Sequence, residues 1–235
     1  ITIVGAGYVG LVTAAIFSEN GHNVMCVEIS QEKLKMLRKG ESPFYEPGLE
    51  AILKKNLNKT LHFTDLIADG VAHGMVIFLA VGTPAKENGE ADMTYIEKAV
   101  TEVAHCLTKE YRLIVQKSTV PPHTHKKIRD IIEKTTKDKE VNFQIASTPE
   151  FLREGQAVAD TRNPDRIVIG LEANSKKAQE ALLEIYNEKD FPKAARVITD
   201  ITSAEMIKYA ANAFLALKIS YINAVANICE ISGAN

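Results

Sequence analysis

The first residues whose types and spacing could do chemistry stand at the start of the chain, where Ile1-Thr2-Ile3-Val4 runs into Gly5-Ala6-Gly7-Tyr8-Val9-Gly10. This G-x-G-x-x-G spacing, between a short apolar run and a helical pattern, suits a dinucleotide. The first glycine permits a tight strand-to-helix turn, the second lets backbone approach a pyrophosphate, and the third lets the helix lie close on the strand with its N-terminus facing the phosphate charge. A plain glycine-rich turn would carry the same letters, so context decides. The next apolar run, residues 24–28, ends on Glu28 roughly 20 residues after the glycines, where a carboxylate can accept both ribose hydroxyls and repel a 2′-phosphate. The pattern points to NAD rather than NADP.

Three further stretches place polar side chains and turn residues directly behind apolar runs: Val81-Gly82-Thr83-Pro84, Lys117-Ser118-Thr119-Val120-Pro121 and Ser147-Thr148-Pro149-Glu150-Phe151-Leu152-Arg153-Glu154-Gly155. In an open α/β sheet, ligands bind at the carboxyl ends of the strands, so these stretches are expected to converge on one crevice. Thr83 and Thr119 could equally cap the helices that follow, a role compatible with touching a cofactor. Glu150, behind a strand and a proline, is either a first-turn helix acid or a site residue. Lys208 and Asn212 share one helical face. Ala210, Ala211, Ala213, Phe214 and Leu215 around them predict a largely buried helix whose polar groups need partners, rather than a solvated face.

Positioning these residues requires strands and helices in alternation, and the patterning supplies them. Val9, Val12, Thr13, Ile16 and Phe17 recur at helical spacing until Asn20-Gly21 ends the helix. Residues 24–28, 61–63, 75–81, 113–116, 143–146, 166–170 and 196–198 read as strands, and 30–38, 49–57 and 176–186 as helices. Ile96, Ala99, Val100, Val103 and Leu107 form one helical stripe; Ile128, Ile131 and Ile132 form another behind the helix-starting Pro121-Pro122. Residues 42–48 are a turn-rich insert, expected as a surface loop. Thr202-Ser203-Ala204-Glu205 reads as a capping box opening a helix that runs to about Ser232-Gly233. The expected fold is α/β: a Rossmann-like, doubly wound, mostly parallel sheet, followed by a long C-terminal helix. Residues 1–199 would be the dinucleotide-binding domain and residues 200–235 the start of a linking, dimer-forming helix.

Composition narrows the class of partner. A net charge of −2 over 235 residues, with Lys and Arg scattered, gives no electrostatic footprint for nucleic acid or an anionic membrane, so neither partner is expected. Cys26, Cys106 and Cys229 lack C-x-x-C spacing, which predicts a reduced, cytoplasmic protein without a zinc or other metal site. No segment of signal or membrane-spanning length stands out, and the ends look trimmed.

The ordered set GAGYVG, VGTP, KSTVP, TPEFLREG, NPDRIVIG and SAEMIKYAANAFLALKISYINAVANICE resembles the UDP-glucose/GDP-mannose dehydrogenase family along essentially the whole chain, most closely its UDP-glucose-oxidising branch. The resemblance implies oxidation of the sugar C6 alcohol to a carboxylate, here UDP-glucose to UDP-glucuronate, in two NAD-dependent steps through a cysteine thioester. It makes Gly5, Ala6, Gly7, Tyr8, Val9 and Gly10 the pyrophosphate loop. Glu28, mildly departing from the more usual Asp, and Lys33 become ribose contacts. Val81, Gly82, Thr83, Pro84, Ser118 and Thr119 fall on the nicotinamide side, and Glu154 touches cofactor. Glu150 is implied as general acid/base, Thr119 as a water-orienting hydroxyl, and Lys208 with Asn212 as donors to developing oxyanions. Phe151, Leu152 and Arg153 would line the nucleotide sugar beside Glu150, Lys208 and Asn212.

One part of the family pattern is missing: its nucleophile sits in a G-x-C-x-P-K-D-like loop, and none of the three cysteines has that context. Each reads instead as a small buried hydrophobe. The chain is therefore expected to be the NAD-binding half of a longer homodimeric enzyme, inactive alone. GDP-mannose and UDP-N-acetylmannosamine dehydrogenases share nearly every motif. β-Hydroxyacid dehydrogenases, which also place Lys and Asn one helical turn apart, and a non-catalytic NAD-sensing module are the remoter readings.

Overall fold

Strand β1 (Thr2–Val4) is buried on both faces, as a central strand must be in a sheet covered on two sides, and its one polar side chain, Thr2, donates to the Gly70 carbonyl at 2.6 Å. The computed structural model describes residues 1–234. From β1 the chain alternates through α1 (Tyr8–Glu19), β2 (Val24–Val27), α2 (Gln31–Leu37), α3 (Leu49–Asn56), β3 (Leu61–Thr64), α4 (Ile67–His73), β4 (Val76–Leu79) and α5 (Thr94–Cys106). It continues through β5 (Tyr111–Gln116), α6 (Thr124–Thr135), β6 (Asn142–Ser147), α7 (Ala157–Arg162), β7 (Arg166–Leu171), α8 (Lys176–Ile185), β8 (Ala195–Asp200) and α9 (Ile201–Ser232). The strands form one eight-stranded sheet in the order β3-β2-β1-β4-β5-β6-β7-β8. The expected doubly wound, mostly parallel sheet is what forms. Neighbours pair parallel except β6 with β7, which meet antiparallel at Ala146 with Leu171 and Ser147 with Gly170.

The order reverses between β1 and β4, so a crevice opens between their carboxyl ends, where the glycine loop and residues 81–84 begin. Alternate strand residues point to opposite layers. Ile3 and Phe78 join α1, α3, α7 and α8 in one core; Val4, Ile77 and Leu79 join α4, α5, α6 and the first turn of α9 in the other. Helix α1 is buried all round from Gly10 to Ser18, not along one stripe, because α3 and α7 pack on its outer side.

Three local expectations change in the folded chain. Helix α6 starts after His123, which takes a left-handed φ of 71°, so Pro121-Pro122 precede the helix instead of starting it. The capping box of α9 does not form. Asp200 is its N-cap, accepting the Ser203 N–H at 2.8 Å, while Glu205 turns to another element. Finally, α9 is buried only at Ile201, Ala204, Glu205 and Lys208 and is largely exposed beyond. Its start lies tightly on β7: a Cβ at Gly170 would stand 2.5 Å from the Ala204 Cβ, so glycine is what admits the helix there. By length and composition alone, α9 is long and apolar enough to cross a membrane, against the expectation that no segment of that length stands out.

Candidate functional site

The glycine loop has the geometry its spacing implies. Gly5 turns at φ +102°, and its N–H bonds to the Val27 carbonyl at 2.9 Å. A Cβ at Gly10 would stand 1.9 Å from the Gly5 carbonyl oxygen, so only glycine lets α1 approach β1 so closely. At Gly7 an added Cβ would meet nothing within 4 Å, so the turn opens outward. No side chain caps α1 and no acid stands in its first turn, which leaves N–H groups and the positive helix end for an anion. These residues fit a pyrophosphate. Ala6 is buried beneath the turn, and Tyr8 and Val9 open the helix. Glu28 lies buried just past β2, with Oε1 accepting the Ser30 N–H at 2.8 Å; Lys33 is exposed on α2.

Across the switch point, the ends of β4 and β5 are tied to each other. Thr83 Oγ1 donates to the Thr119 carbonyl at 2.6 Å, and Ser118 Oγ donates to the Val81 carbonyl at 2.6 Å. Neither threonine caps a helix, because α5 begins at Thr94 and α6 at Thr124. Gly82 and Pro84 are exposed at this rim, while Val81, Thr83 and Thr119 are half-buried.

Behind β6, the Lys208 ammonium meets Glu150 Oε1 at 2.8 Å, with their side chains only 7% and 12% exposed. Helix α9 delivers the lysine from 58 residues further along the chain, which its docking against β7 and β6 makes possible. The second Glu150 oxygen accepts the Leu152 N–H at 2.7 Å. Glu150 is thus held by an ion pair and a loop bond and is not a first-turn helix acid, since α7 starts at Ala157. Phe151 has Arg166 4.1 Å and Lys208 5.4 Å from its ring centroid. Leu152 packs on the core, and Glu154 is exposed. Arg153 turns aside to Asp160, through Nε at 3.0 Å and Nη2 at 2.7 Å, and these bonds hold the Asp160 carboxyl below the usual carboxylate range. Asn212, one turn beyond Lys208, is exposed, because α9 leaves the sheet after Lys208. Beneath the 150–152 strip lies a cavity of about 160 Å³, lined among others by Lys117, Thr148, Glu150, Arg166 and Tyr186.

Two carboxylates escaped the sequence reading. Glu46, in the insert expected as a surface loop, is buried, while its neighbour Tyr45 is exposed. Glu205 is buried at the head of α6, accepting the N–H of His123 at 2.6 Å and of His125 at 3.0 Å, with His125 Nδ1 3.2 Å away. The only available signal was an acid placed among apolar or turn residues. Of the thiols, Cys26 is buried, but Cys106, at the last position of α5, and Cys229, on the outward part of α9, are half-buried, contrary to expectation. Burial pushes the Cys26 and Cys106 thiols up, so neither is primed as a thiolate.

Residues 1–190 match the UDP-glucose/GDP-mannose dehydrogenase family, NAD binding domain, and residues 202–235 match the central domain of the same family. The UDP-glucose 6-dehydrogenase TuaD of Bacillus subtilis (strain 168) is 46% identical over 237 residues, covering 100% of this chain and 50% of that protein. A ternary complex of GDP-mannose dehydrogenase from Pseudomonas aeruginosa superposes with a TM-score of 0.93 at 36% identity, over 100% of this chain and 54% of the other. A UDP-glucose dehydrogenase from the hyperthermophilic archaeon Pyrobaculum islandicum gives 0.88 at 39% identity, over 95% and 51%. The chain spans about half the length of the curated relatives it matches. Since the likeness runs unbroken from β1 through α8 and resumes on α9, over a glycine loop shaped for a dinucleotide, this chain belongs to the UDP-glucose/GDP-mannose dehydrogenase family, with an NAD-binding domain as its body.

Proposed function

We propose that this chain is the NAD-binding portion of a UDP-glucose 6-dehydrogenase that takes UDP-glucose to UDP-glucuronate in two oxidations through a cysteine thioester. In this division of labour, residues 1–199 bind cofactor and residues 200–235 begin the helix that links to the rest. The observation that carries the reading is the buried Glu150–Lys208 pair at the carboxyl end of the sheet. A dehydrogenase must remove a proton from the alcohol and steady the negative oxygen that results, and a hydrolysis must deprotonate water. NAD, when bound, supplies the hydride acceptor. Lys208, in a site where water screens little, stabilises the developing oxyanion. Glu150, aimed by the Leu152 N–H, takes the proton of the attacking water, and Thr119 orients that water.

Asn212 joins Lys208 as a donor once α9 is covered by the remainder of the enzyme. Glu28 selects NAD at the ribose with Lys33 beside it. Phe151, Leu152 and the backbone at Arg153 face the sugar nucleotide, and Glu154 borders the cofactor. The thioester thiol is none of the three present, because the Cys26 and Cys106 thiols are both pushed toward the protonated form and Cys229 lies on α9 outside the crevice. These residues alone therefore complete no turnover. The setting is cytoplasmic and the full enzyme a homodimer joined through α9.

The structural likeness to a GDP-mannose dehydrogenase favours one second reading, the same chemistry on GDP-mannose. Full-length enzyme given UDP-glucose, GDP-mannose and UDP-N-acetylmannosamine in turn should yield two NADH per UDP-glucose consumed. One NADH per substrate would remove the thioester route, and faster turnover of GDP-mannose would replace the substrate.

A further inference from the structure

Glu46 is a buried carboxylate, 5% exposed, with no cation within ion-pair distance among the described residues. Such a group is costly to desolvate unless hydrogen bonds satisfy it, and all of its bonds here come from neutral donors. It accepts the Tyr8 hydroxyl, the Gly155 N–H at 2.9 Å and the Val158 N–H at 3.2 Å. The Gly155 N–H also lies 2.7 Å from the Tyr8 oxygen, and the Tyr8 ring stacks on Phe44 of the insert with centroids 4.7 Å apart. Gly155 stands at φ +82°, so the strip turns sharply where it is held. Burial and the Glu46 bond push the Tyr8 hydroxyl above its ordinary value, which keeps it a donor.

Three segments remote in sequence therefore meet at one carboxylate. Tyr8 is the first residue of α1, beside Gly7 of the phosphate turn; Phe44 and Glu46 belong to the insert; Gly155 closes the strip that begins at Glu150. We propose that Glu46 is a positioning residue that couples occupancy of the glycine loop to the order of the 150–158 strip, so that filling the cofactor site sets the strip that faces the sugar nucleotide. A dinucleotide phosphate on the α1 N-terminus fixes the turn that carries Tyr8, and Tyr8 and Gly155 share Glu46 as their common anchor. Coupling of this kind is reciprocal, so an ordered strip also tightens the loop around its ligand. The inference rests on the glycine loop holding NAD.

Hydrogen exchange read by mass spectrometry, with and without saturating NAD, tests it on the wild-type chain and on Glu46→Ala, Glu46→Gln and Tyr8→Phe. In the wild type, NAD should slow exchange at residues 153–158 by about tenfold, within the usual range of intersite coupling. Glu46→Ala should lose that NAD-dependent slowing, and Glu46→Gln, which keeps one acceptor oxygen, should retain part of it. A structural role alone would raise exchange equally with and without NAD, and that result would overturn the proposal. If Glu46→Ala does not fold, Tyr8→Phe decides, because it leaves Glu46 with both backbone donors; undiminished slowing there also overturns the coupling. NAD that saturates the wild type without touching residues 153–158 sinks the coupling alone, whereas a wild type that binds no NAD removes the cofactor reading beneath it.

Discussion

At Gly7 and Gly10 the same residue type is required for different reasons, and the two requirements can be separated. Gly10 is constrained by the protein itself, with a carbonyl oxygen 1.9 Å from where a Cβ would sit; Gly7 has open space and an ordinary φ of −72°. Gly7→Val should therefore fold normally but weaken NAD roughly tenfold or more, equivalent to losing a charge-assisted hydrogen bond of about 1.5–3 kcal/mol. Gly10→Ala should instead destabilise by about 1–3 kcal/mol through overpacking. Calorimetric titration with a melting curve distinguishes them, and normal NAD affinity in Gly7→Val would reduce the loop to an ordinary turn. At Glu150 the prediction concerns a single step. In full-length enzyme, Glu150→Gln keeps the shape but loses the base, so acid release should slow by ~10²–10³-fold while a covalent adduct accumulates, whereas Lys208→Ala should impair both oxidations. Quenched-flow with mass detection reads the adduct; Glu150→Gln stalling without one would strip Glu150 of the hydrolytic role.

Elements are positioned here by carboxylates whose partners lie far away in sequence. The Thr-Ser-Ala-Glu run at the head of α9 satisfies the local rule for a capping box, yet Asp200 takes the cap and Glu205 reaches across 80 residues to the head of α6. Local spacing could not show this, because the competing donors belong to another helix. Glu205→Ala would leave two N–H groups and a histidine without their partner in a buried site, so it should cost about 3 kcal/mol in urea unfolding. A loss below about 0.5 kcal/mol, the size of an ordinary surface change, would show the contact to be idle. The Asp200 carboxyl is held below its usual value chiefly by the Ser203 hydroxyl, then by the Ser203 N–H. Since the folded-state value is depressed, its contribution is present above pH ~4, the ordinary carboxylate value, and is lost as pH falls through the lowered one. Asp200→Asn should flatten the acid side of the stability profile; an Asp200 pKa measured by NMR at or above the free value would refute the cap.

For the whole molecule, the outward part of α9 is the least settled surface. Phe214 and Leu217 are each 63% exposed and Tyr221 68% exposed, on one face of a helix that leaves the sheet after Lys208. An apolar face of this size is normally covered in a folded protein, and it falls in the stretch, residues 202–235, that matches the family's central domain. The chain should self-associate as its concentration rises, measured by sedimentation, and Phe214→Ser with Leu217→Ser and Tyr221→Ser should lower that tendency. A monomer at every concentration would show that this face is tolerated in water. Much of the molecule was legible beforehand. Alternating apolar runs determine a doubly wound sheet because strands buried on both faces must be apolar, and G-x-G-x-x-G determines its own turn because Gly5 and Gly10 have no room for a side chain. These are local demands, so the sequence states them directly. The antiparallel entry of β7, the burial of Glu46 and Glu205, and the meeting of Glu150 with Lys208 were decided by tertiary structure, because each depends on which distant segment comes to lie alongside. Asn212 marks the boundary: its spacing from Lys208 is a property of the helix, while its exposure follows from where that helix leaves the sheet.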